Sequence, residues 1–351
     1  MGFIVSILIL SFLIFFHELG HFLAARFFGV YVERFSIGFG RVIFSKVVNG
    51  TEYAISAIPL GGYVKMKGQD DSDPTKISFD LDSYTMKPPW QRIIILLAGP
   101  FFNFLLAFFL YYAVALIGAN SYASIIGSVK PNSPAHTQGL QKGDKIIEIN
   151  NQPIQIWDDL SKAIGKSSGS INMLIDRNGT ILSIVVTPKI LETKNIFGET
   201  VKKRMVGISP SGKVITKSYN PIEAIQFAWN KTVEASKLIV LSVEKLIEGV
   251  IPVKEMGGVI SIVQITAKAS QHGIVALFIL TALISVNLGV LNLLPIPALD
   301  GGHIIFTLYE MIFRKPLNEE IAYKLTMGGW AILLTLMAFT IFNDITRIAN
   351  G

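Results

Sequence analysis

Four apolar segments of about 20 residues each constrain this chain most, because a helix needs that length to cross a lipid bilayer. They lie near 3–25, 93–118, 274–294 and 328–344. The chain has 51% hydrophobic and 16% charged residues, a composition typical of a membrane protein that also has water-soluble mass. We therefore predict a polytopic α-helical membrane protein with four transmembrane helices.

Two of these segments contain residues that break helices. The second holds Gly99, Pro100 and Asn103. The third runs into Pro295 and Pro297, which disrupt helical hydrogen bonding at membrane depth. The first segment has no Lys or Arg before it and no clear cleavage site, so we expect it to be retained and not removed as a signal peptide.

The composition also excludes several kinds of site. The chain has no cysteine, so disulfides, thiolate metal sites and a cysteine nucleophile are ruled out, and any metal must bind nitrogen and oxygen ligands. The net charge of +6 does not indicate nucleic-acid binding, because the basic residues are scattered and are not concentrated with aromatic residues. We interpret these basic residues as charges that flank the membrane.

Between the first two apolar segments, residues 36–68 alternate apolar and polar positions around a turn signal at Asn49-Gly50. This pattern predicts a membrane-associated β-hairpin or small sheet. The next stretch, 69–89, is acidic and contains proline, which indicates a surface loop.

The region 119–212 is typical of a soluble, mainly β domain inserted between membrane segments. Its turns include Asn132 and Asn178, each at a sharp break between apolar runs. The runs that we expect to form strands are IIGSV, KIIEIN, INMLID and ILSIVVTP.

We divide the rest of the chain around this insert. An N-terminal membrane half covers 1–118, a helix with a linker covers 213–270, and a C-terminal membrane half covers 271–351. In the middle region, apolar residues recur at helical spacing between 222 and 243. This amphipathic helix either lies on the membrane surface or packs on the soluble domain.

The first apolar segment contains the motif HELGH, which puts three ionisable residues inside a span. His17 and His21 are four residues apart and share a helix face, so both imidazoles can reach one metal ion with Glu18 beside it. Ionisable groups at membrane depth are costly and indicate function by default. The alternative is a pair of hydrogen-bonded structural histidines. A hydrolytic zinc site uses three protein ligands and one open position, so a third ligand must come from elsewhere.

The late sequence PIPALDGGH offers two candidates for that ligand. Asp300 follows the proline-broken end of the third span, where Gly301 and Gly302 permit close approach of the backbone. His303 is the second candidate. Asp300 also has a purely structural interpretation, as the N-cap of the helix that follows.

These motifs together resemble the site-2 protease family of intramembrane zinc metalloproteases, of the regulator of sigma-E protease type. The resemblance rests on HELGH in the first span, GPFFN in the second, LDGG after NLLPIP, and an insert similar to a PDZ domain, and it covers nearly the whole chain. It implies an endopeptidase of the bacterial inner membrane that cuts transmembrane substrates such as anti-sigma factors or signal-peptide remnants.

The resemblance also implies roles for individual residues. His17, His21 and Asp300 would ligate one Zn²⁺, although histidine and carboxylate ligands also suit Fe²⁺ or Co²⁺. Glu18 would be the general base. Both roles agree with the ligand count that the motif requires.

Substrate contacts are expected in two places. In the resembling family an edge strand pairs with an unwound substrate segment, and GGYVKM would supply that strand here, unless the hairpin merely packs at the membrane face. Two asparagines ahead of LDGG would bind substrate or organise the site, unless they only form hydrogen bonds between helices. The candidate substrate-binding residues are Gly61, Gly62, Tyr63, Val64, Lys65, Asn287 and Asn292.

The PDZ resemblance lies in the pattern SPA, GL, GD and IN between 133 and 150. PDZ folds typically bind chain termini by strand addition. The chain shows one such unit where better-known relatives carry two in tandem, so the resemblance does not extend to the size-filter role proposed for the pair.

Basic residues in the connections 26–92 and 303–327 predict that both face the cytoplasm, which places the termini and the insert outside. Two other classes of function stay open on the residues alone. One is a transporter or metal sensor that uses the same ligands, whose sign would be an internal repeat that we do not find. The other is a PDZ-bearing membrane scaffold.

Overall fold

The computed structural model describes residues 2–69 and 78–350. Residues 70–77 of the predicted loop at 69–89 therefore lie outside the described residues. The helices are α1 (Gly2–Phe27), α2 (Pro89–Ile117), α3 (Pro134–Thr137), α4 (Trp157–Lys166), α5 (Pro221–Ile247), α6 (Val259–Gln271), α7 (Ile274–Asn292), α8 (Asp300–Phe313) and α9 (Glu319–Asn350), with a short 3₁₀ turn at Val253–Glu255.

The described strands fall into a long pair near the N-terminus and a group of short strands in the insert. The long pair is β1 (Val32–Val48) and β2 (Thr51–Met66). The short strands are β3 (Ala119–Tyr122), β4 (Ile126–Val129), β5 (Lys145–Ile149), β6 (Gln152–Pro153), β7 (Ile171–Arg177), β8 (Thr180–Val186), β9 (Lys189–Lys194), β10 (Thr200–Met205), β11 (Ile208–Pro210) and β12 (Val214–Lys217).

Within residues 2–69 and 78–350, four helices, α1, α2, α7 and α9, are long and apolar enough to cross a membrane, which confirms a membrane protein with four candidate spans. Helix α2 continues through Pro100, whereas α7 ends at Asn292 before the two prolines that follow. The predicted fourth span at 328–344 was too short, because α9 begins at Glu319. The first turns of α9 are polar, so a search for apolar segments does not detect them. They are nevertheless helical, and Lys324 donates to Glu320 one turn earlier.

Small residues let the spanning helices pack closely. A Cβ on Gly20 of α1 would lie 2.2 Å from the carbonyl oxygen of Ala98 in α2, so only glycine permits this crossing. Gly2 of α1 makes a similar approach to Ala267 of α6. The result is that α1 lies directly against α2 and α6.

Helix α5 buries a stripe of small residues against α2 and α7. Its apolar residues Ile222, Ile225 and Trp229 are exposed. The stripe consists of Ala224, Ala228, Thr232 and Ala235, packed near Ala107, Tyr111, Ala282, Val286 and Val290.

The β1–β2 pair folds back on itself into a sheet with four strand segments. A turn at Asn49 and Gly50, both with positive φ, joins the strands as the sequence predicts. The first part of β1 pairs on one side with 51–55 and on the other with 62–66, as in the two pairings of Phe35 with Tyr53 and Val64. The segment 62–66 is therefore an edge, since no further described strand pairs with it.

The insert forms its own compact unit, Ala115–Asn220, separate from the membrane unit Met1–Val114 and Pro221–Gly351. Its main sheet has the order β6-β5-β7-β8, and the four predicted β-type runs form β4, β5, β7 and β8. The carboxylate of Asp144, only 1% exposed, accepts bonds of 2.7 and 2.8 Å from the Arg177 guanidinium. That ion pair ties the turn before β5 to the end of β7.

Candidate metal centre and active site

Helix α1 carries two histidines on its buried face. His17 is 9% exposed and His21 is 7% exposed. Because the two residues are one turn apart, their rings meet, and the two Nε2 atoms lie 3.1 Å from each other. Both imidazoles therefore present the same ring nitrogen to one point.

Asp300, at the start of α8, reaches the same point, although it is far from the two histidines along the chain. Its Oδ2 lies 3.2 Å from Nε2 of His17, and its Oδ1 lies 3.5 Å from Nε2 of His21. One ligand atom from each of the three residues falls within a cluster in which no two atoms are more than 4.8 Å apart. This is the spatial arrangement that three ligands of a single ion require.

Two glycines allow α8 to reach this position. A Cβ on Gly301 would lie 2.3 Å from the carbonyl oxygen of Leu294, and one on Gly302 would lie 2.3 Å from that of Ile296. The chain between α7 and α8 is thus packed tightly against the first turn of α8. In the LDGG motif, Asp300 therefore supplies the carboxylate, and the two glycines leave the space that the close packing needs.

The N-cap position of α8 is occupied by Leu299, with no side-chain capping bond, and Asp300 is the first helical residue. The Asp300 carboxylate faces the histidines. His303, the other candidate ligand, lies outside the three-residue cluster. Its Nε2 is buried and has no hydrogen-bond partner among the described residues.

The surroundings of the cluster fit a zinc ion. Nδ1 of His21 lies 2.8 Å from the Ile95 carbonyl oxygen, which can only accept, so Nδ1 carries the proton and Nε2 keeps its lone pair. Oδ2 of Asp300 is buried without a correctly directed hydrogen bond, although it lies close to Nε2 of His17. Two imidazole nitrogens and a carboxylate are a donor set that zinc binds readily.

Glu18 lies beside the cluster in the wall of a cavity of about 560 Å³. A Cβ on Gly62 of β2 would lie 3.3 Å from Cγ of Glu18, so the edge segment of the sheet passes directly over this side chain. The cavity is lined by Ile14, His17, Glu18, His21, Phe39, Gly61, Gly62, Tyr63, Val64, Lys65, Met66, Gln69, Leu96, Asn103, Leu288, Asn292, Ala298, Leu299, Asp300, His303 and Trp330.

All five candidate substrate residues of β2, from Gly61 to Lys65, line this cavity. Asn292 also lines it, whereas Asn287 is half-buried in α7 and is not among the lining residues. The side chain of Lys65 forms an ion pair with Glu33 at 2.7 Å, on an exposed part of the sheet.

Arg34 holds the edge segment in place. Its guanidinium donates to the Tyr63 hydroxyl at 3.0 Å and to Glu52 at 2.7 Å, and these two residues lie on opposite sides of β1. The hydrogen bond from Arg34 lowers the pKa of the Glu52 carboxyl below its ordinary value.

Two residues of GPFFN that sequence reasoning had treated only as helix breakers or parts of a motif touch the cluster directly. A Cβ on Gly99 would lie 2.2 Å from Nε2 of His21. Nδ2 of Asn103, which is fully buried, lies 3.1 Å from Nδ1 of His17. The signal that could have identified them is a polar residue one turn after a glycine inside an apolar span.

Comparison with known proteins agrees with this site. The chain is 49% identical over 346 residues to "Putative zinc metalloprotease Cj1068" of Campylobacter jejuni, covering 99% of this chain and 94% of that relative. It is 42% identical over 352 residues to a "Putative zinc metalloprotease" of Helicobacter pylori, covering 99% of both. It is 33% identical over 383 residues to "Metalloprotease MmpA" of Caulobacter vibrioides, covering 98% and 95%.

The sequence pattern of peptidase family M50 matches residues 5–336, which include the insert and most of both membrane halves. The match spans HELGH, GPFFN and LDGG, the three motifs whose residues meet at the cluster. It confirms the resemblance to site-2 proteases, and the chain therefore belongs to peptidase family M50.

Proposed function

We propose that this chain is an intramembrane zinc endopeptidase that cuts single-span membrane proteins, such as anti-sigma factors or signal-peptide remnants, within or beside their spanning segment. The observation that carries the proposal is the convergence of two imidazoles and one carboxylate beside Glu18, in a cavity bordered by an unpaired strand edge. Membership of a peptidase family favours a protease over the transporter and scaffold alternatives.

His17, His21 and Asp300 would hold the zinc, the metal that the relatives' names also give. Bound there, zinc supplies a Lewis acid that polarises the scissile carbonyl and acidifies a water molecule. Asp300 is preferred to His303 as third ligand, because its oxygens lie within 3.5 Å of both Nε2 atoms.

Glu18 would act as the general base. Its carboxylate would take a proton from the attacking water at a side-chain oxygen and return it to the leaving amine as the peptide bond breaks. A Cβ on Gly62 would lie 3.3 Å from Cγ of Glu18, so this side chain adjoins the strand edge where a substrate carbonyl would lie. Asn292, in the cavity wall, is our candidate for stabilising the oxyanion.

The edge segment 62–66 would bind the substrate. A transmembrane helix hides its peptide groups in its own hydrogen bonds, so cleavage needs an unwound stretch. An unpaired strand edge offers backbone donors and acceptors to that stretch, as in β-augmentation. We assign this contact to residues 61–65. Asn292, which lines the same cavity, would also bind substrate, and Asn287 in α7 would help to organise the site.

We further propose that the protein lies in the bacterial inner membrane, with both termini and the insert outside the cytoplasm. The basic residues of the connections 26–92 and 303–327 support this orientation. The insert would be a PDZ-like domain, since it combines the helix α4 with short antiparallel strands around an apolar core. It would present its strand edges to exposed chain ends.

The test is cleavage of a panel of purified single-span substrates in detergent by the wild type and by Glu18→Gln at matched zinc content. We expect a product cut within the span from the wild type alone, because glutamine keeps the size of glutamate but cannot take the proton. Glu320→Gln, an exposed change of the same kind, is the control and should cleave normally. Equal cleavage by Glu18→Gln would remove Glu18 from the mechanism.

A further inference from the structure

Asn103 has a half-satisfied amide beside the metal ligands. The residue is fully buried in α2, one turn after Gly99, and its Nδ2 lies 3.1 Å from Nδ1 of His17. Its Oδ1 is equally buried and has no hydrogen-bond partner among the described residues. Buried amide groups are nearly always paired, and the partner that this side chain has within hydrogen-bond distance is Nδ1 of His17.

The two imidazoles are held at Nδ1, the nitrogen that points away from the cluster. His21 donates from Nδ1 to the Ile95 carbonyl oxygen, which leaves its Nε2 free to bind a metal. At the corresponding place, Nδ1 of His17 has the side-chain amide of Asn103 at 3.1 Å.

A ligating nitrogen needs its lone pair, and Nε2 is the His17 nitrogen that faces Asp300. The proton of a metal-ligating His17 must therefore reside on Nδ1, where it needs an acceptor. The oxygen and nitrogen of an amide have nearly the same shape and exchange places by half a turn, so the Asn103 amide can present Oδ1 to this proton.

We propose that Asn103 is a positioning residue for His17, whose amide oxygen accepts from Nδ1–H and so selects the tautomer with a free Nε2. This inference rests on the proposed role of His17 as a zinc ligand. Aspartate keeps an accepting oxygen at this place, whereas leucine has none.

The test measures zinc affinity of the full chain in detergent by competition with a chromophoric chelator, for the wild type, Asn103→Asp and Asn103→Leu. Loss of such a supporting contact typically weakens metal binding about 10–100-fold, which we expect for Asn103→Leu. Asn103→Asp keeps the accepting oxygen and should bind zinc at least as tightly as the wild type. Co²⁺ loaded into the same proteins should keep wild-type d–d bands in Asn103→Asp and lose them in Asn103→Leu.

Ser285→Ala is the matched control. Ser285 is also fully buried and donates to the backbone carbonyl of Asn103 at 2.7 Å, so its loss disturbs the same place without touching the imidazole. We expect Ser285→Ala to lower the thermal midpoint but leave zinc affinity and the Co²⁺ spectrum unchanged.

Three outcomes would overturn the inference. Wild-type zinc affinity in Asn103→Leu would show that His17 needs no outer partner. Weak binding by Asn103→Asp with a wild-type thermal midpoint would show that an accepting oxygen is not what residue 103 supplies. A wild type that binds no zinc would refute the proposed function itself, and this inference with it. If Asn103→Leu does not fold, Asn103→Asp compared with Ser285→Ala still decides the question.

Discussion

Replacing Gly99 with alanine should disable the metal centre while leaving the fold intact. A Cβ at this position would lie 2.2 Å from Nε2 of His21 and 2.9 Å from Cε1 of His17. Ordinary contact begins at 3.4 Å, so the His21 ring must retreat by about 1.2 Å. The atoms that must move belong to side chains, which can rotate without displacing a helix. The fold therefore accommodates the methyl group at the expense of the ligand geometry.

That retreat is large for a metal site. Zinc–nitrogen bonds are about 2.0–2.1 Å long, so a ligand displaced by 1 Å or more no longer bonds. Losing an outer hydrogen-bond partner of a ligand alone weakens metal binding about 10–100-fold. We expect Gly99→Ala to weaken zinc binding by about 100-fold or more. Cleavage should fall by a factor on the order of 100 or more. Unfolding should be unchanged or slightly harder, since alanine is favoured over glycine in a helix by roughly 0.5–1 kcal/mol.

The assay compares zinc affinity, substrate cleavage and thermal midpoint for the wild type, Gly99→Ala and Gly328→Ala. Gly328 lies in the spanning helix α9, and a Cβ there would meet no atom within 4 Å, so it tests the same chemical change in open space. Gly328→Ala should resemble the wild type in all three measurements. A Gly99→Ala protein that binds zinc and cleaves substrate as the wild type does would refute this account of the close approach between α1 and α2.

Three further predictions concern other contacts. Asp300→Asn should weaken zinc binding by about 100-fold or more in chelator competition, and unchanged affinity would instead favour His303 as the third ligand. Asp344→Ala removes the carboxylate that accepts from backbone N–H groups at the start of α6, so the free energy of unfolding should fall by about 0.5–2 kcal/mol in a thermal melt. Arg177→Leu leaves the buried Asp144 carboxylate unpaired and should destabilise the insert by roughly 3 kcal/mol in urea unfolding, less than a fully buried pair because the Arg177 side chain is 25% exposed. If Asp344→Ala or Arg177→Leu unfolds like the wild type, the stabilising role given to that carboxylate or ion pair is wrong.

Local sequence pattern was sufficient for the elements that depend on neighbours along the chain. The length of the apolar segments predicts four candidate spans, and the spacing of His17 and His21 places both rings on one helix face. Asn49-Gly50 predicts the turn between the long strands, because both residues tolerate positive φ. These features follow from the geometry of a single helix or turn.

Local pattern was insufficient where a boundary or a role depends on packing. Hydropathy missed the polar start of α9 at Glu319, since it measures apolar content and not helix formation. Local pattern could not show that the first part of β1 lies between two parts of β2, an arrangement that leaves 62–66 as an edge of the sheet. Nor could it separate a helix-breaking role for Asn103 from contact with His17, 86 residues away in the chain.

The candidate spans, the paired histidines and the family motifs can be predicted without a structure, because each depends on residues within a few turns of one another. That Asp300, and not His303, joins the histidines, and that Gly99 and Asn103 border them, depends on how distant helices pack. These contacts require α1, α2 and α8 to approach within a few ångströms. Glycines at the crossings permit that approach, and its consequences appear only when the helices are packed together.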